Sequence, residues 1–376
     1  MTKFAKLSFK KDELNKELAG FFKGMLENGA VDAVLAPMTQ AKKGVRLTLV
    51  TSAANTEQVD VFAPVANVSG AKIASSLTAR PSGRKIAMVL RPCEIRAVVE
   101  LVKLKQANLD DVLMIGMDCL GRYENNDFLT FQGQNGNSES FLENALTGKT
   151  ETSGFDVAGA CRICEFPVAD NVDLRLCTIG SGGGNVYIEA VSAKGEAALE
   201  KAGIKIGEAP AGRDEAVKKL IATRTEARDK KFTEFRAETN TFEALGDKLA
   251  ACVNCYNCRV ACPVCYCKEC VFVTDTFRHT GEQFMMWADM GGKLKMPNDT
   301  LFFHLTRITH ISLFCVGCGQ CTSACPNDID LMPLFRTSAD KSQARFNYQA
   351  GRSVEEQQPM AGFQSDELFE VTGQAK

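Results

Sequence analysis

An α/β fold with a partly parallel sheet, followed by a mainly α region, is predicted by three features of this 376-residue sequence. The first is a strand–helix–strand pattern: KIAMVL (85–90), EIRAVVELVKLKQ (94–106) and VLMIGMD (112–118). Such a β-α-β unit makes its two strands parallel neighbours. The second is a charged, Pro-free helical pattern over 211–250. The third is a pair of tight Cys runs, at 252–262 and 315–325, separated by further helical patterns.

The other elements follow in chain order. Residues 11–29 carry an amphipathic helix pattern that stops at Gly29, and VDAVLAP (31–37) and VRLTLVTS (45–52) read as strands. Arg91-Pro92-Cys93 reads as a turn between the first strand and the helix of the β-α-β unit. Residues 123–155 are rich in Asn, Gly and Ser and read as loop. The glycine-rich turn Gly180-Ser181-Gly182-Gly183-Gly184 leads into a strand, NVYIEAVSA (185–193). It precedes a strand and not a helix, so it is no dinucleotide fingerprint. HTGEQFMMWADM (279–290) and FHLTRITHISLF (303–314) are helical patterns lying between the Cys runs. Their Met, Trp and Phe residues read as core or interface. From about Ser338 the chain is polar, turns acidic near its end, and is expected to be disordered or bound to a partner. The resulting division is an α/β unit over 1–210, a helical linker over 211–251, an iron–sulfur unit over 252–335 and a polar tail over 336–376.

Composition narrows the function. The 44 Lys and Arg nearly balance the 46 Asp and Glu, for a net charge of −2. That gives no electrostatic case for nucleic acid or an anionic membrane. No apolar run approaches the about 18 residues of a membrane span. MTKFAKLSFKKDELNKEL shows no signal-peptide pattern, so a cytoplasmic protein is expected. With 16 Cys and only three His, thiolate metal chemistry is favoured over His-based sites and over disulfides.

The two Cys runs carry the chemistry. They read Cys252-x2-Cys255-x2-Cys258-x3-Cys262-Pro263 and Cys315-x2-Cys318-x2-Cys321-x3-Cys325-Pro326. This is the spacing of bacterial two-cluster ferredoxins. Three thiolates on one tight loop cap three irons of a cubane, and the fourth iron takes a Cys from elsewhere. In that pattern the fourth Cys of each run crosses over. Cys252, Cys255, Cys258 and Cys325 are thus assigned to one 4Fe-4S cluster, and Cys315, Cys318, Cys321 and Cys262 to another. The C-terminal fold class is therefore a mainly α, ferredoxin-like iron–sulfur domain. Structural zinc is the alternative, but it favours pairs of Cys-x2-Cys. Cys265, Cys267 and Cys270 follow the first run at once. With Cys177 they are candidates for a further metal, or else they are inert thiols. His304 and His310 are candidates for hydrogen bonds to a cluster, with surface or capping roles as the alternative.

The first half adds a separate constellation. Cys93 and Cys119 both follow the carboxyl ends of predicted strands, where open α/β sheets place their ligand sites. A Cys161-x2-Cys164 pair comes later. Pro92-Cys93-Glu94, Cys119, Cys161-Arg162-Ile163-Cys164-Glu165-Phe166 with Ala169-Asp170, and the following glycine turn resemble, in the same order, the beta subunit of deazaflavin (coenzyme F420)-dependent hydrogenase and formate dehydrogenase. CVNCYNCRVACPVCYCKEC (252–270) and FHLTRITHISLFCVGCGQCTSACP (303–326) resemble the ferredoxin extension of the formate dehydrogenase beta subunit. The resemblance covers roughly 12–335. It implies that Cys93, Cys119, Cys161 and Cys164 hold a third 4Fe-4S cluster beside a flavin, FAD. Ser181, Gly182, Gly183, Gly184 and Asn185 would be the flavin contacts, with an ordinary turn as the alternative. Deazaflavin-using members carry a Gly-Gly pair in the first helix region. Here Lys16–Phe22 holds the single Gly20.

The implied function is an electron-transfer subunit linking a catalytic formate dehydrogenase or hydrogenase subunit to a two-electron carrier. It would itself be an enzyme only with flavin bound. A flavin-free relay to a heterodisulfide-reductase-like or bifurcating partner is the alternative, and a structural metal scaffold is a third reading.

Overall fold

The structure, a computed structural model, describes residues 3–40, 44–359 and 361. Along the chain these form β1 (Lys3–Ser8), α1 (Leu14–Glu27), β2 (Ala33–Thr39), β3 (Val45–Val50), α2 (Gly70–Thr78), β4 (Ile86–Leu90), α3 (Pro92–Lys103) and β5 (Val112–Met117). Next come α4 (Asn125–Gly133), α5 (Ser138–Leu146), the hairpin β6 (Glu151–Thr152) and β7 (Phe155–Asp156), α6 (Gly159–Arg162), β8 (Leu174–Cys177), β9 (Asn185–Ala190), α7 (Ala193–Lys201) and β10 (Ile206–Gly207). The remainder is helical: α8 (Arg213–Glu238), α9 (Phe242–Lys248), α10 (Asn257–Ala261), α11 (Gly281–Gly291), α12 (Thr300–Ile311), α13 (Gln320–Ser323) and α14 (Met332–Arg345). Among the described residues, no helix is long and apolar enough to cross a membrane.

One eight-stranded sheet, ordered β10-β1-β9-β8-β5-β4-β2-β3, organises the α/β half. Its parallel section is β2, β4, β5 and β8, with antiparallel strands on either side. The β4/β5 register, Ile86 opposite Val112, is the predicted parallel pair. These strands are apolar at every position because both faces are covered. Ala87, Val89, Leu113, Ile115 and Met117 join a core on one face with α1, α4, α5 and α7. Ile86, Met88, Leu90, Val112 and Met114 join a second core on the other face. That second core also contains Cys258, Val264, Phe303, Ile311 and Phe335, so the Cys-rich region packs onto the same core as the sheet.

Four readings of the sequence change. Pro92 opens α3, so Cys93 lies in the first helical turn and not in a turn before it. Proline is suited to that place, where its missing N–H would have had no partner. Residues 123–155 are not loop. Asn137 caps α5, accepting from the Ser140 N–H at 2.8 Å, and Phe131 and Phe141 stack edgewise on Tyr123 at 5.2 and 5.4 Å. The Asn, Gly and Ser that suggested a loop are caps and solvent faces. The expected linker is a packed 26-residue helix, α8, held by buried Arg213 and Arg224 together with buried Phe232 and with Ala216, Val217 and Leu220 against the core. Finally, the chain from 336 to 359 is no free tail. α14 continues to Arg345, and Tyr348 and Ala350 are buried. The acidic end beyond 361 lies outside the described residues.

Candidate metal centres

Cys93 sits in the first turn of α3 and Cys119 two residues beyond β5. Both lie at the carboxyl edge of the parallel strands. Cys161 is on α6, and Cys164 follows it. The Cys119 N–H donates to Pro167 O at 2.7 Å, and Arg224 of α8 donates to Cys119 O at 3.2 Å and to Leu120 O at 2.8 Å. Gly121, at φ +125°, leaves no room for a side chain, because a Cβ there would lie 3.0 Å from Val157 and 3.3 Å from the Cβ of Cys161. Burial pushes the Cys93 thiol well above its ordinary range, and negative charge on Cys119 and Cys164 pushes it further. Burial pushes Cys119 up to about 11, with Cys161 and Cys164 adding to the shift and Arg91 and Arg224 opposing it. The structure therefore brings Cys93, Cys119, Cys161 and Cys164, all partly buried, near one another with arginines around them.

In the second half, one pocket is lined by Cys252, Cys255, Cys258 and Cys325, with Tyr256, Phe303 and His304 around them. These are the first three Cys of one run and the last of the other. Burial raises Cys258 to about 11. Arg307 opposes that rise, while Cys252, Cys255 and Cys325 add to it. The complementary set is equally close-knit. Cys315, Cys318 and Cys321 are partly buried, and each is acted on by charge at Cys262. Three thiols on one loop plus one from the other run is the donor set that suits a cubane.

The middle set adjoins the N-terminal one. Charge on Cys318 acts on Cys93. Gly319 opens α13 directly against α6, where a Cβ would fall 2.4 Å from that of Ala160. Arg122 spans the junction, donating to Ser323 Oγ at 2.6 Å while lying in the field of Cys161 and Cys318. Arg96 stacks on Phe166 at 3.6 Å and donates to Val316 O at 3.1 Å. The Cys262 set thus adjoins the N-terminal set.

The arginines were not singled out from the sequence. Arg91, Arg96, Arg122, Arg307 and Arg336 are all buried. The one signal was their placement beside the motifs, as in Arg91-Pro92-Cys93. Of the two histidines, His304 is buried, with Nε2 3.5 Å from Cys252 Sγ, and burial drives it down to about 4. His310 Nδ1 lies 3.6 Å from Cys267 Sγ.

The four remaining Cys do not form one group. Cys177 is fully buried on β8 among Asp118, Arg213, Glu189 and Arg175. Cys265, Cys267 and Cys270 stay beside the first run, where Cys265 is acted on by Cys262 and Cys267. Among the described residues, no three Cys, His, Asp or Glu side chains converge as they would on a single ion.

The turn Ser181–Asn185 uses its polar atoms on itself. Ser181 Oγ donates to Thr178 O at 2.7 Å, the Asn185 amide donates to Gly183 O at 3.2 Å, and Asn185 Oδ1 accepts from Ser8 at 2.9 Å. No principal cavity is lined by this turn. A cavity of about 430 Å³ lies instead beside Pro37, Val89 and Met117 on β2, β4 and β5, bounded by Arg46, Asn67, Arg91 and Glu94.

Residues 83–210 match the family defined by the C-terminal part of the coenzyme F420 hydrogenase/dehydrogenase beta subunit, a stretch that spans Cys93, Cys119, Cys161 and Cys164. That stretch, about a third of the chain, is similar to those beta subunits. Residues 308–329 match a 4Fe-4S binding domain, which spans the second Cys run. Over 367 residues the chain is 28% identical to the F420-dependent formate dehydrogenase subunit beta of Methanocaldococcus jannaschii, covering 90% of this chain and 92% of that protein. It is 25% identical over 387 residues to the F420-dependent formate dehydrogenase 1 subunit beta of Methanococcus maripaludis, covering 93% and 94%. A chain of the F420-reducing NiFe hydrogenase complex from Methanosarcina barkeri is 17% identical, with a TM-score of 0.45, over 65% of this chain and 94% of that one. The iron–sulfur character and the α/β fold expected from the sequence both stand.

Proposed function

We propose that this chain is an electron-transfer subunit with three 4Fe-4S sites, working with a catalytic formate dehydrogenase or hydrogenase subunit. The observation that carries this reading is three four-thiol sets, with the Cys262 set adjoining both of the others. When bound, such clusters supply reversible one-electron transfer. The chain's own contribution is to hold the thiols, exclude water and lay fixed positive charge around anionic centres. Cys252, Cys255, Cys258 and Cys325 hold the outermost site. Cys262, Cys315, Cys318 and Cys321 hold the middle one, and Cys93, Cys119, Cys161 and Cys164 the innermost. The likeness to two formate dehydrogenase beta subunits supports a dehydrogenase partner.

The far end of the line has two readings. A flavin there would couple one-electron to two-electron chemistry. The Ser181 and Asn185 side chains are already engaged with Thr178, Gly183 and Ser8, which weighs against them as flavin contacts. A cavity with room lies against Arg91 and Glu94, at the carboxyl ends of the strands. A flavin-free relay to a heterodisulfide-reductase-like partner is favoured by the single Gly20, which stands in open space on α1 and brings nothing close to the backbone.

Iron, acid-labile sulfide and flavin analysis of anaerobically purified protein tests all of this. About twelve irons per chain, at four per cluster, support the three-site reading. Zinc without iron or sulfide sinks it, and FAD at about one per chain sinks the flavin-free version.

A further inference from the structure

Arg307 is nearly inaccessible on α12, in the wall between two of the thiol sets. Its Nη1 donates to Cys258 Sγ at 3.1 Å and its Nη2 to Cys258 O at 3.2 Å. The strongest charges acting on it are the thiols of Cys258, Cys262, Cys321 and Cys265. The guanidinium is sandwiched between Phe335, 4.3 Å from the ring centre, and Phe303, at 5.6 Å. Its Nε is buried without a partner.

A buried cation needs an anion, because the interior does not solvate it as water does. Some arginines near the sites have carboxylates: Arg336 and Arg228 share Glu165, and Arg122 has Glu124. Arg224 and Arg96 donate to backbone carbonyls instead. The strongest charges on Arg307 are thiols, and they belong to two different sets. Cys258 is in the outer one; Cys262 and Cys321 are in the middle one. Reduction adds an electron to a centre that is already negative. A fixed positive charge and an N–H···S hydrogen bond therefore favour the reduced form over the oxidised one.

We propose that Arg307 is a shared potential-setting residue, which raises the reduction potentials of the two ferredoxin-type sites together and keeps them matched for transfer between them. This rests on the three-site reading above. Its position explains why the cation is placed in the dividing wall and not at the mouth of either site. Loss of its charge shifts both sites to more negative potential. The innermost site, which Arg307 does not touch, keeps its potential.

The test is an EPR-monitored redox titration of anaerobically purified Arg307→Gln and Arg307→Lys beside the native protein, with iron and sulfide counted first. Native protein without three clusters overturns the three-site reading itself, and so is distinguishable from failure of the present inference. With native iron content in Arg307→Gln, the expected result is a negative shift of both ferredoxin-type midpoints and none in the third. Arg307→Lys keeps the charge but loses the two-pronged hydrogen bond, so its two shifts are smaller and of the same sign. Unmoved midpoints overturn the inference, and a shift at one site alone overturns the sharing. If the Gln variant loses iron, the paired shifts of the Lys variant decide on the same terms.

Discussion

Tyr348 places its hydroxyl on both oxygens of Glu100, at 2.7 and 2.6 Å, across 248 residues of sequence. Glu100 is wholly buried on α3, the helix whose first turn carries Cys93. It also accepts from the Gly351 N–H at 2.7 Å and pairs with Lys103 at 3.2 Å. The chain after α14 is thereby clamped onto the helix that presents the innermost thiol. Glu100→Ala strands these donors and removes the anion beside Lys103, so a loss of about 3 kcal/mol is expected. Tyr348→Phe is expected to cost about 1–2 kcal/mol. Denaturant unfolding measures both, and a change within about 0.5 kcal/mol for Glu100→Ala would show the clamp to be incidental.

Asp118 plays the corresponding part at the end of β5. It takes both arms of Arg213, at 2.5 and 2.8 Å, and the N–H groups of Thr178 and Ile179 at 2.8 and 2.9 Å. It thus ties together the ends of β5 and β8 and the first turn of α8, one residue before Cys119. Arg213→Ala leaves this carboxylate uncompensated, for an expected loss of about 3 kcal/mol. Iron should be lost preferentially from the innermost site, which EPR of the partly depleted protein resolves. Even loss from all three sites would contradict the local role.

Cys119 and Cys177 are separated by their surroundings. Cys119→Ser is expected to remove about four irons per chain, while Cys177→Ser should remove none. Metal analysis after anaerobic purification reads both. Wild-type iron in Cys119→Ser would exclude Cys119 as a ligand, and lost iron in Cys177→Ser would reinstate Cys177.

Gly319 marks the joint between the middle and innermost sites. Its φ of +72° and the 2.4 Å a Cβ would have from Ala160 both disfavour any side chain. Gly319→Ala should cost about 2 kcal/mol, part in backbone strain and part in overpacking. Adding Ala160→Gly relieves only the second part, so the double variant should recover some but not all of the loss. Additive, independent effects in a double-mutant cycle would show that α13 and α6 do not press on one another.

Much of this architecture was legible without coordinates, for a local reason. Parallel pairing of β4 and β5 follows from a helix joining two apolar strands, and the Cys-x2-Cys-x2-Cys loops encode a three-thiol cap by spacing alone. The aromatic residues of α4 and α5 were hidden among Asn, Ser and Gly, because caps and loops draw on the same residues. α8 was readable as a helix but not as a packed one, since its anchors are arginines in contact with residues about a hundred positions earlier.

The sequence by itself determined the strand–helix–strand unit, the two thiol loops and the iron–sulfur chemistry, because each is written in spacings of a few residues. Tertiary structure alone decided that charge at Cys318 acts on Cys93, that Arg307 bonds Cys258 in the field of Cys262 and Cys321, and that Tyr348 closes over α3. Those contacts join segments far apart in the chain. They depend on two helical faces and a sheet meeting around one core, and no local periodicity carries that information.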